Sequence, residues 1–72
     1  MKYWAVDIEG YGGIYSSKEK AIAAIKNTWP IKNFTIINER ENWCWFFLTW
    51  ENDDVGEYEM MAYELDNHTL EL

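Results

Sequence analysis

The sequence predicts an α+β fold, a mainly antiparallel sheet of four to five strands with one helix packed on one face, in the order ββαβββ. Three observations lead there. Apolar residues near the start alternate with a period of two. One alanine-rich segment follows a helical period instead, and the rest returns to short β-branched and aromatic runs split by polar turns. The 72 residues are read as a single domain, 1–72, near the lower end of what a core stabilises unaided.

From Tyr3 to Glu9, Trp4, Val6 and Ile8 fall on one face while Tyr3, Ala5, Asp7 and Glu9 fall on the other, a half-buried strand. Gly10-Tyr11-Gly12-Gly13 is expected to turn the chain, with Ile14-Tyr15 pairing back as a short second strand. Ser16-Ser17-Lys18-Glu19 reads as a capping box, Ser16 and Glu19 exchanging side-chain and backbone bonds. The helix over roughly 17–29 places Ala21, Ile22, Ile25 and Trp29 on one stripe and Lys18, Lys20, Lys26 and Asn27 off it. Pro30 stops it.

Phe34 to Asn38 is a third strand and Glu39-Arg40-Glu41-Asn42 a turn. Trp43 to Glu51 forms the fourth, with Trp43, Trp45, Phe47, Thr49 and Glu51 on one face and Cys44, Phe46, Leu48 and Trp50 on the other. Both rows are apolar, so this strand is expected to be central and covered on two sides. Residues 52–56 turn again, Glu57 to Leu65 makes a fifth strand, and Thr69–Leu72 is a stub whose pairing stays open. One helix covers one side of such a sheet. With Trp4, Val6, Ile8, Cys44, Phe46, Leu48 and Trp50 towards it, the open side shows Tyr3, Asp7, Glu9, Trp43, Trp45, Phe47, Glu51, Glu57, Glu59, Met61 and Tyr63.

Charge divides the chain. Residues 1–38 hold five lysines against Asp7, Glu9 and Glu19, whereas residues 39–72 hold ten acids and one cation, Arg40. With 49% hydrophobic and 18% aromatic residues, a net charge of −7 does not make this a disordered acidic tail. There is no 18-residue apolar run, so no membrane helix is expected, and an acid by residue 7 argues against a secretory leader. A lone Cys44 fits a reducing, cytoplasmic setting.

Chemistry-bearing patterns are sparse. His68 sits in a polar turn, and Cys44 lies between two tryptophans where burial would silence it. Asn52-Asp53-Asp54 resembles the start of a calcium loop, but position 12 holds Tyr63 rather than glutamate. Gly10-Tyr11-Gly12-Gly13 lacks the following lysine of a phosphate loop. No catalytic residue, metal site or cofactor is expected, and the chain is read as a non-enzyme. Aromatics on an open sheet also serve single-strand nucleic-acid readers, but those are flanked by Lys and Arg rather than acids. Direct nucleic-acid binding is therefore not expected. Acids mixed with large aromatics suit docking on a basic protein surface, with Coulomb steering and aromatic anchoring.

The run Gly13-Ile14-Tyr15-Ser16-Ser17-Lys18-Glu19-Lys20-Ala21, after a strand, resembles a pattern in small uncharacterised phage and bacterial proteins, where it joins an N-terminal hairpin to a single helix. The resemblance spans about residues 3–29 and carries no site residues. In overall character the chain is similar to phage-encoded inhibitors of host defence, of the anti-CRISPR and anti-restriction type. That likeness implies a small acidic inhibitor that blocks the nucleic-acid-binding surface of a host nuclease in the host cytoplasm. The expected contact residues are Trp43, Trp45, Glu51, Asp53, Asp54, Glu57, Glu59 and Tyr63, the acids standing in for phosphates. Two other readings stay open. One is a homodimer or larger homo-oligomer that buries the aromatic face against itself. The other is a sponge for a small nucleotide, stacked on the aromatics with Lys2 or Arg40 nearby.

Overall fold

In the computed structural model, which describes residues 2–64, the elements are β1 (Lys2–Ile8), β2 (Tyr11–Tyr15), α1 (Lys18–Thr28), β3 (Ile31–Arg40), β4 (Trp43–Trp50) and β5 (Val55–Glu64). The ββαβββ order is the expected one. The strands form one sheet in the order β2-β1-β5-β4-β3, and every neighbouring pair is antiparallel. The N-terminal hairpin and the β3-β4-β5 meander are thus joined by the pairing of β1 with β5. Helix α1 carries the chain from β2 at one edge to β3 at the other.

The first hairpin is tighter than its glycines imply. Ile8 pairs with Tyr11, so the loop is only Glu9-Gly10, with φ of 56° and 82°. Two successive left-handed residues make the primed turn whose twist matches that of the strands. The Asp7 carboxylate accepts from the Gly10 N–H at 3.1 Å. Gly12 and Gly13, expected in the turn, lie inside β2 instead. Their role is close packing: a Cβ on Gly12 would fall 1.8 Å from the Val6 carbonyl oxygen, and one on Gly13 would fall 2.7 Å from the Tyr15 hydroxyl.

The helix cap also shifts by one residue. Ser17, not Ser16, is the N-cap, and its hydroxyl accepts from the Lys20 N–H at 3.1 Å. Glu19 stands in the first turn, where its charge complements the helix dipole. Ala21 and Ile25 are buried, while Ile22 and Trp29 pack on the core partly exposed.

Trp4, Val6, Ile8, Cys44, Phe46, Leu48 and Met60 supply the sheet's side of the core, and Ala21 and Ile25 the helix's side. Each large apolar side chain buried here contributes about 1.5–3 kcal/mol before entropy is charged. Strand β5 stands in the middle of the sheet, and β4 is interior, as expected. Strand β4 is flanked on both edges, but only its Cys44-Phe46-Leu48 row is buried. Trp43, Trp45, Phe47 and Thr49 on the other row are half-buried, and no described element covers them. Strand β3 extends beyond the expected Phe34–Asn38 to Ile31–Arg40, with register irregularities at Ile31/Asn33 and Ile36/Asn38. The turns shorten in step: Arg40 pairs with Trp43, and β5 begins at Val55 rather than Glu57. The expected strand end at Leu65 and the Thr69–Leu72 stub lie outside the described residues.

Candidate functional site

The face of the sheet away from α1 is built by strand alternation. Paired residues of antiparallel neighbours share a side, and the buried rows of β1, β4 and β5 fix which side that is. One row runs Ile14, Ala5, Met61, Trp43, Arg40 across all five strands. Beside it lie Glu59, Trp45 and Asn38, and then Glu57, Phe47 and Thr35. The central strand therefore places two carboxylates directly opposite two aromatic rings on β4.

Local contacts order this surface. The Trp43 Nε1–H donates to Glu59 Oε2 at 2.7 Å, so the charge is held against the aromatic wall. The Trp43 and Trp45 rings stack with centroids 6.4 Å apart and planes at 28°. Tyr3 and Tyr63, cross-strand partners at the β1–β5 seam, stack at 5.6 Å. Trp43, Trp45, Glu57, Tyr58 and Glu59 together line a shallow open hollow. A second hollow, reaching from Asp7 to Tyr63, adjoins it through Glu59.

Of the eight expected contact residues, Trp43, Trp45, Glu57, Glu59 and Tyr63 share this face. Glu51, Asp53 and Asp54 do not. They form the β4–β5 turn, at the opposite end of β4 from Trp43, and two of them are engaged locally. Asp53, at φ 70°, accepts from Lys32 Nζ at 2.8 Å. Asp54 and Asn52 exchange bonds at 3.1 Å, Asp54 donating its N–H to the Asn52 amide oxygen and accepting from the amide nitrogen. Glu9 also leaves the open face: it sits in the β1–β2 turn and accepts from the Tyr58 hydroxyl at 2.5 Å.

Sequence reasoning missed Asn38 and Ile14 as members of this face and brought Arg40 near it only as a cation for a stacked nucleotide. Their membership follows from register, which single-strand periodicity does not contain. It also missed the Glu9–Tyr58 pair, which joins positions 49 residues apart. Burial and the Glu9 carboxylate push the Tyr58 phenol up from 10.0 to about 12. The Glu39 carboxylate, bonded to Lys18 at 2.7 Å, raises the Lys18 ammonium. Burial raises the Cys44 thiol, with Glu39 adding to the effect.

Comparison with protein-family models, curated proteins and solved structures found no match. The site therefore stands on its own geometry. Cys44 is sealed on the helix side, away from the open face, and His68 lies outside the described residues. Among the described residues no three His, Cys, Asp or Glu side chains converge as a metal site, and no helix is long and apolar enough to cross a membrane. What the open face offers is aromatic area, fixed negative charge and one ordered carboxylate. Those are the means of non-covalent recognition.

Proposed function

We propose that this chain is a non-enzymatic binding module that docks its aromatic-acidic sheet face on the basic surface of a protein partner. As phage-type inhibitors of host nucleases do, it would block a surface that otherwise holds nucleic acid. The observation that carries this reading is the alignment of Glu59 with Trp45 and of Glu57 with Phe47 on a face that no described element covers. Half-buried tryptophans at the centre provide anchors, and exposed carboxylates beside them provide steering and the spaced negative charge that a phosphate-binding groove accepts. This reading takes Trp43, Trp45, Glu57, Glu59 and Tyr63 as its contact set, because those five share one face of the sheet. Glu51, Asp53 and Asp54 are left as a separate patch at the sheet's end.

The test is capture of host proteins on immobilised protein, followed by elution with rising salt and competition with nucleic acid. A nuclease or other nucleic-acid-handling protein released by either treatment is the expected result, because exposed charges are screened beyond about 8 Å at physiological ionic strength. Glu57→Lys with Glu59→Lys should abolish that capture while leaving the circular-dichroism spectrum unchanged. Capture that survives both salt and the double reversal would end the proposal. Retention of only the chain itself, at any salt, would turn the face into a self-interface.

A further inference from the structure

The hollow at the centre of the docking face has a more specific chemistry than negative charge. We infer that the space lined by Trp43, Trp45, Glu57 and Glu59 receives an arginine side chain of the partner, its guanidinium lying on an indole face and bonded to the carboxylates. The inference rests on the docking reading above and names the group that anchors it.

Two features select a cation of this kind. Two indoles, Trp43 and Trp45, line the hollow, and an indole face attracts a cation within about 6 Å of the ring centroid more strongly than tyrosine or phenylalanine does. The floor is acidic: Glu57 and Glu59 stand two residues apart on one face of β5, and neither is in an ion pair among the described residues. Glu59 is held by the Trp43 N–H through one oxygen at 2.7 Å, which leaves its other oxygen to accept. Arg40 is the chain's own cation next to this wall, opposite Trp43 on β3, yet it does not line the hollow.

Arginine suits the site better than lysine for reasons of shape. A guanidinium is planar, stacks on aromatic faces, is weakly hydrated and presents a fork of donors to carboxylates. An ammonium is a compact, strongly hydrated point charge that would see the carboxylates but gain less from the indole rings. Selection between them is therefore a readout of the aromatic walls rather than of net charge.

The experiment titrates the intact protein with short Gly-Ser peptides carrying three arginines, three lysines or three citrullines, following the tryptophan indole N–H resonances. The expected result is saturable movement of the Trp43 and Trp45 signals with the arginine peptide. The lysine peptide should bind roughly fivefold or more weakly, and citrulline should have no effect. Glu57→Gln with Glu59→Gln, which keeps the shape of the hollow, should weaken the arginine peptide roughly tenfold. Equal binding of lysine and arginine, or binding that leaves both indole signals unmoved, would overturn the inference. A partner still released by salt and by the double lysine reversal would then leave the docking reading standing without its arginine anchor.

Discussion

Tyr58 shows how much one side chain depends on distant residues. It lies on the helix side of β5, tilted against Phe46 with ring centroids 6.2 Å apart, and its ring occupies the space beside Gly56. A Cβ on that glycine would come within 2.4 Å of the ring. The same arrangement recurs two strands away, where Gly13 leaves room for Tyr15. In each case a glycine two positions before a tyrosine lets the ring lie flat along its own strand. The Tyr58 hydroxyl then reaches Glu9. With a folded-state pKa pushed up from 10.0 to about 12, the folded protein holds this proton more tightly than the unfolded chain does. The stability so gained is complete below about pH 10 and is lost as pH rises towards 12. Tyr58→Phe should cost about 1 kcal/mol near pH 8 through the lost hydrogen bond, and that difference should shrink above pH 10. Chemical denaturation of both proteins across pH 8–12 measures it. The tyrosinate absorbance difference between them should have its midpoint near 12; a midpoint near 10 would remove both the burial of the phenol and its Glu9 contact from the account.

At the scale of elements, α1 is short, 11 residues, and isolated helices of that length are marginal in water. It holds through its cap, its two buried residues and the tie from Lys18 to Glu39 on β3. That tie joins the helix to β3, the edge strand farthest from β2 in the sheet. Both partners are partly solvated, so its worth stays below about 1 kcal/mol. The cap matters more. Ser17→Ala should destabilise the protein by about 1 kcal/mol and Ser16→Ala by much less, a contrast that thermal melts of the two variants check. Strand β3 is the other element with a visible design. Eight of its ten residues are exposed, including Ile36 at 41% and Ile37 at 37%, on an edge that a neighbouring chain could pair with. The two register irregularities and the charged Lys32, Glu39 and Arg40 break that edge, as bulges and charges do in sheets that resist edge-to-edge association.

At the scale of the whole molecule, a net charge of −7 on 72 residues should act on folding and on the proposed docking with opposite signs. Acids crowd residues 39–72, and those from Glu39 to Glu64 lie on the β3-β4-β5 meander, where they repel one another in the folded state. Salt screens that repulsion, so raising it from low to physiological ionic strength should raise the melting temperature. The same salt should weaken capture of a basic partner. Opposite salt slopes for stability and binding, measured on one preparation, are the expected outcome; parallel slopes would mean that charge does not govern the docking face. Among the described residues the helix packs on one side of the sheet and no element covers the other.

The sequence by itself determined the α+β class, the element order and the two faces of β1 and β4 within their strand bounds. Those depend on local periodicity, and the alternation of Trp4, Val6 and Ile8 or of Cys44, Phe46 and Leu48 carries them in full. It also determined the aromatic and acidic character of the open side, since Trp43, Trp45, Glu57 and Glu59 alternate with residues too apolar to leave exposed. Turn positions were less legible: Gly12 and Gly13 look like turn residues, but strand packing claims them, and the left-handed pair is Glu9-Gly10. Only the tertiary structure decided that β5 enters between β1 and β4, that Glu59 meets Trp43, that Glu9 meets Tyr58, and that Glu51, Asp53 and Asp54 stand apart from the aromatic face. The physical reason is pairing. Periodicity says which side of a strand a residue occupies, but strand order and register, chosen by the packing of the whole core, decide what it stands beside.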